Sequence, residues 1–165
     1  DLANDLGNLA QRSLSMIAKN CDGIMPTPHL NEEGDASLLI LADGLHAKMN
    51  DAMDRLAIHE YLKSIFELVS EANRYFAEQE PWGLKKTDPA RMGTVLYLAA
   101  EIIRQASIAL QPVIPEGSLN LLDLLDVPQA QRTFNFLGST GRLAFGQNLP
   151  KPEVIFPRLE MDAEA

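Results

Sequence analysis

Asp88-Pro-Ala-Arg-Met-Gly-Thr-Val-Leu-Tyr-Leu-Ala-Ala-Glu-Ile-Ile-Arg-Gln-Ala-Ser-Ile-Ala-Leu110 is the stretch that decides the fold. Asp88 followed by Pro89 fits a helix cap with proline at the first helical position. From Val95 to Ile103 nearly every residue is apolar, so this helix is predicted to run through the centre of a bundle. Pro112 and Pro115 close it.

Working outward, the segment from Asp1 to about Asn20 repeats Leu2, Leu6, Leu9, Ser13 and Met16 at helical spacing, and Asp22-Gly23 ends it. Asn4, Asn8 and Arg12 lie four apart on another face of the same helix. Asp35 is the predicted cap of a helix reaching about Asp54, with Leu38, Leu41, Ala42, Leu45 and Met49 on its apolar face. A break is expected near Leu56. The next helix runs to about Ala77 with Leu62, Ile65, Phe66, Val69, Ala72 and Phe76 inward, and Pro81-Trp82-Gly83 ends that segment. A short helix over Gly117 to Leu125 completes an all-α bundle, about residues 1–125. Residues 126–165 are broken by Gly138, Gly141, Gly146, Pro150, Pro152 and Pro157, so an irregular tail is expected there. Leu143, Phe145, Val154, Ile155 and Phe156 make it too apolar for a free linker, and it should lie against something.

The bulk numbers narrow the function. The 165 residues suggest one domain. A single cysteine, Cys21, leaves no partner for an internal disulfide, and the cytoplasm is the expected location. The apolar run at 36–42 is far shorter than the roughly 20 residues that cross a bilayer, so no membrane association is expected. The acidic residues 1–5 do not resemble the start of a signal peptide. The net charge of −9 argues against a broad basic grip on phosphates; an RNA partner would have to be read through stacking and base-edge hydrogen bonds on a local patch.

Catalytic patterns are weak. His29, His46 and His59 do not fall at metal-ligand spacing, no G-x-S-x-G elbow occurs, and no metal site is expected. Gly138-Ser-Thr-Gly-Arg142 lacks the phosphate-loop pattern and reads more simply as a turn. Two features stand out instead. Asparagine is a poor helix former, so Asn4 and Asn8 beside Arg12 form either a solvated face or a row that reads base edges. Trp82, the only tryptophan, sits in a Pro-Trp-Gly corner with Pro81; it is either a core pin or an exposed ring for an unpaired base. Lys85, Lys86 and Arg91 follow as the densest basic cluster, suited to a phosphate near Trp82.

Three segments now show a resemblance. Asp1-Leu-Ala-Asn-Asp-Leu-Gly-Asn-Leu-Ala-Gln-Arg12 resembles the opening helix of the anticodon-binding domain of bacterial methionyl-tRNA synthetases. Asn73-Arg-Tyr-Phe-Ala-Glu-Gln-Glu-Pro-Trp82 is similar to that family's N-x-Y-x-x-x-x-x-P-W signature. Lys151-Pro-Glu-Val-Ile-Phe-Pro-Arg158 is similar to its closing K-P-x-x-x-F-P-R segment. They occur in the family's order across the whole chain. The resemblance implies a helical bundle of the class I synthetase type that reads the CAU anticodon loop of tRNA(Met). On that reading Asn4, Asn8 and Arg12 contact base edges, Trp82 stacks on a base with Pro81 fixing its corner, and Asn73 orients the corner.

The family's HIGH and KMSKS motifs have no counterpart here, so the chain is expected to have no ligase activity alone and no cofactor. ATP, and any zinc, would belong to a catalytic half acting in cis, and no dimerisation module is expected. The alternative is an acidic helical protein-interaction module indifferent to RNA. It requires Trp82 to be buried and turned away from the Asn4, Asn8 and Arg12 row.

Overall fold

The computed structural model describes residues 2–157. Among these the fold is helical: α1 (Asn8–Asn20), α2 (Glu33–Asp43), α3 (Leu45–Asp54), α4 (Ile58–Gln79), α5 (Pro81–Thr87), α6 (Pro89–Leu110) and α7 (Pro115–Leu124). The central stretch behaves as its composition demands. Every residue of α6 from Arg91 to Leu110 is buried, and α1, α4, α5 and α7 pack around it. Its cap is the expected one, the Arg91 amide donating to the Asp88 carboxylate at 3.0 Å. By length and composition α6 could cross a membrane, which the sequence reading had not flagged; its complete enclosure makes it instead the axis of the bundle.

Three elements differ from expectation. Leu2–Gly7 coil as a wide π-helical turn before α1 begins. The helix assigned to 35–54 is two, bent at Gly44, and the first starts earlier than predicted. Its cap is Glu32, and Asp35 is the third residue of a capping box, accepting from the Glu32 amide at 3.3 Å. Trp82 lies not in an irregular break but in α5, a helix of its own. The chain turns from α4 into α5 through Glu80, which is left-handed at φ 47°, and Pro81 starts the new helix. The break near Leu56 is another left-handed turn, φ 56°.

Beyond α7 the chain is irregular but closely held. Short 3-10 turns at Gln129–Gln131, Phe134–Phe136 and Gly138–Gly141 fold back over α6. Buried Glu101 receives the Leu143 amide at 3.0 Å, and buried Arg104 donates to the carbonyls of Phe136 (2.6 Å) and Gly138 (3.2 Å). Gln105 accepts from the Gly138 amide, and Tyr97 donates its hydroxyl to the Leu143 carbonyl. At Gly141 a Cβ would stand 2.2 Å from the Phe136 carbonyl oxygen, so only glycine fits. The Gly138–Gly141 segment is therefore a packing turn, with the neighbouring Arg142 paired to Asp43 and Glu101. A second seam joins the tail to the end of α1, where the Met25 amide donates to the Gln147 carbonyl and the Gly146 amide to Met25.

Candidate nucleic-acid interface

The opening helix presents Asn4, Asn8 and Arg12 to solvent while Leu6, Leu9, Ser13 and Ile17 face inward. The amphipathic spacing explains the split: burying one stripe fixes which residues the opposite stripe shows. Asn73, on α4, fastens the start of this row. Its amide donates to the carbonyl of Asp5, between Asn4 and Asn8, and to that of Val69, each at 3.1 Å. The expectation that Asn73 orients the tryptophan corner is therefore corrected: the described hydrogen bonds of its amide run to the π-helical turn and to its own helix. Asn73→Ala should cost about 1 kcal/mol, the worth of a typical hydrogen bond. Hydrogen exchange at residues 2–7 should rise; unchanged exchange there would show that the turn holds itself.

The corner is built differently. Pro81 is buried and Trp82 is 49 % exposed. Pro81 fixes its own φ, and the left-handed Glu80 reverses the chain just before it, so the indole projects from the first turn of α5. Beneath it lies the fully buried Phe76, ring centroids 6.1 Å apart with planes tilted by 54°. The Arg12 guanidinium carbon sits 5.0 Å from the Phe76 ring centre and 5.3 Å from that of Trp82. Both distances fall within cation–π range. The end of the Asn/Arg row and the tryptophan thus meet, although 70 residues of sequence separate Arg12 from Trp82. Phe76 was read from its spacing only as core; that it also floors the tryptophan has no signature in the sequence.

Lys85 and Lys86 are exposed on α5, three and four residues beyond Trp82, which puts them on its side of that helix. Arg91 is not with them. It is 6 % exposed and turned inward, where its fork meets the Asp35 carboxylate at 2.7 and 2.8 Å. Tyr75, Gln79, Asn31 and Glu32 complete its partners. Arg91 is accordingly removed from the phosphate-facing group: its donors are spent on holding the loop before α2 against α4 and α6. Of the closing segment, Lys151 to Pro157 lie within the described structure, and Arg158 lies outside the described residues.

Cys21 is half-buried, and burial together with the neighbouring Asp22 charge pushes its thiol above the usual range, away from reactivity.

An exposed aromatic on a rigid helical corner, an adjoining row of amide and guanidinium side chains and nearby exposed lysines define a helical nucleic-acid-binding domain of the kind that reads unpaired bases. Comparison with known proteins narrows the class. Residues 27–165 match the family described as the anticodon binding domain of methionyl tRNA ligase. The methionine–tRNA ligase of Brucella suis is 56 % identical over 159 residues, 96 % of this chain and 30 % of that protein. That of Rhizobium meliloti is 52 % identical over 158 residues, covering 96 % and 31 %. The crystal structure of the free Mycobacterium tuberculosis methionyl-tRNA synthetase superposes with a TM-score of 0.92 at 45 % identity, over 98 % of this chain and 33 % of that one. The chain belongs to the family of methionyl-tRNA ligase anticodon-binding domains, and it spans about a third of the length of these relatives.

Proposed function

We propose that this domain binds the anticodon loop of methionine tRNAs, reads CAU, and so orients the tRNA for a catalytic domain carried in the same longer protein, in the cytosol where translation proceeds. The observation that carries the reading is the meeting of Trp82 with Arg12 at the end of the Asn4 and Asn8 row. The other possibility, a protein-interaction module with its tryptophan in the core, needs a buried Trp82, and the ring is half exposed.

The physical account has three parts. A splayed base stacks on the open face of the indole, which Phe76 and Arg12 keep from rotating. Arg12, Asn8 and Asn4 offer donors and acceptors to base edges, the side-chain types that pair with them in two-point fashion. Lys85 and Lys86 hold backbone phosphate and carry no sequence information. The reading assigns no cofactor and no chemistry to this domain; its contribution to acyl transfer is positioning at a distance.

Binding of fluorescent anticodon stem-loops tests this. A CAU loop is expected to bind more tightly than the same loop with another anticodon. Trp82→Ala should weaken CAU binding by about 1–3 kcal/mol, the worth of one stacked base. Lys85→Ala should weaken every loop about equally. With a net charge of −9, the fall of affinity with salt should be shallow. Trp82→Ala should leave the thermal midpoint nearly unchanged. A variant that binds CAU like the parent, or that unfolds, would assign Trp82 to the core and remove the reading.

A further inference from the structure

The tail does more than cover α6: its last described residues form a second wall along the opening helix. Asn4, Gly7, Asn8, Ala10 and Gln11 line one side of a slot of about 140 Å³, and Glu153 to Pro157 line the other. Drug-sized ligands occupy cavities of roughly 300–1,000 Å³, so this slot has room for a single flat ring system. Its walls are set by close packing. A Cβ on Gly7 would stand 3.3 Å from the Phe156 ring, and one on Gly117 only 2.7 Å from it. Phe156 therefore seats over two glycines, one in the turn leading into α1 and one in α7, and fixes the distance between tail and helix.

The slot's chemistry is specific. Asn4, Asn8 and Gln11 are all exposed amides. Gln11 follows Asn8 by three residues and so shares its face. Across from them stands Glu153, also exposed. A carboxylate only accepts hydrogen bonds, and its charge repels phosphate, so the slot suits a base rather than backbone. A carboxylate pairs with the amino group of cytosine, and a side-chain amide with the amino edge of adenine. The position along the helix also fits. At 1.5 Å of rise per residue, Asn8 and Arg12 are about 6 Å apart along the axis, under two stacked nucleotide steps of about 3.4 Å.

We propose that this slot receives one unpaired anticodon base bearing an exocyclic amino group, a neighbour of the base stacked on Trp82, with Gln11 and Glu153 as reading residues. The proposal rests on the anticodon reading above and adds to it a pocket, two residues and a role for the tail.

The test uses CAU stem-loops, each of the three anticodon positions in turn made abasic, against the parent chain, Gln11→Leu, Val154→Trp and Trp82→Ala. Val154 is an exposed wall residue, so tryptophan there fills the slot without entering the core. Gln11→Leu and Val154→Trp are each expected to weaken the intact loop about tenfold, the usual scale of one base-edge reading. Each should add little further loss on a loop abasic at one position, at which Trp82→Ala still weakens binding. Replacing that base by its analogue lacking the amino group should reproduce the Gln11→Leu loss. If both slot variants bind every loop as the parent does while Trp82→Ala does not, the slot is no subsite and the proposal falls alone. If Trp82→Ala also binds like the parent, the anticodon reading falls and takes the slot with it.

Discussion

Arg91→Ala should cost this domain about 3–5 kcal/mol of stability, because it strands Asp35, a fully buried carboxylate, without its charge partner. A loss of that size is a large part of the 5–15 kcal/mol that typical domains have, so the thermal midpoint should fall steeply. The fraction that remains folded should keep its preference for CAU, since none of the described Arg91 bonds reaches the Trp82 surface. Calorimetry and loop titration together check this. A variant of normal stability that had lost phosphate-dependent affinity would restore Arg91 to the interface.

The pH dependence separates lost packing from lost charge pairing. Burial is the largest single influence on Asp35 and works against its ionisation, but hydrogen bonds from Arg91 and Tyr75 and the Arg91 charge together outweigh it and hold the carboxyl below its ordinary value. A carboxyl lowered on folding adds stability that is full above its unfolded value, about 3.9, and is lost as pH falls through the folded one. The parent should therefore keep the Asp35 contribution at neutral pH and lose it only in strong acid. In Arg91→Ala burial is left with less opposition and Asp35 is pushed up, which reverses the sign. The deficit of the variant should shrink as pH is lowered from 7 toward about 5, as protonation relieves the buried charge. A pH-independent deficit would assign the loss to packing of the arginine stem.

How much of this was legible differs by residue. The place of α6 was readable because a helix apolar on all sides has nowhere else to go, and Asp88-Pro89 marked its start. The Gly44 bend was not. Gly44 keeps a right-handed conformation, φ −78° and ψ −10°, and the apolar positions Leu38, Leu41, Leu45 and Met49 run through it without a phase change. Asp35 is a plausible cap residue by type, yet Glu32 takes that position and Asp35 goes inward to meet Arg91. Charge in a sequence carries no sign of burial: Lys85, Lys86 and Arg91 read alike until Asp35 and Tyr75 are brought up to one of them. Trp82 was ambiguous for the same reason. Its exposure depends on the left-handed Glu80 and on Phe76 already filling the space beneath, and neither is a local property of Pro81-Trp82-Gly83. The Asn4, Asn8 and Arg12 row was readable from spacing, whereas the facing wall at 153–157 depends on how the tail returns.

That return hangs on Arg104, which gives the second large expected effect. Arg104 and Glu101 are both fully buried, paired at 2.6 Å within α6, and between them they bind the tail through the Phe136 and Gly138 carbonyls and the Leu143 amide. Arg104→Ala removes one member of a buried pair and strips two tail carbonyls of their donor, so a loss of about 3–5 kcal/mol is expected. Arg142 reaches Glu101 at 3.3 Å and offsets part of the stranded charge, which places the loss toward the lower end. The distribution of the damage is the sharper readout. Amide exchange should accelerate between residues 136 and 149, while the centres of α4 and α6 lose protection only as far as global stability falls. Arg104→Lys keeps the charge but not the planar fork, and a single ammonium cannot serve Glu101, Phe136 and Gly138 in the same geometry. It should restore part of the stability and leave the tail exchanging fast. If Arg104→Lys protects residues 136–149 as the parent does, the tail is held by apolar burial of Leu137 and Leu143 alone, and the buried pair is only a feature of the core.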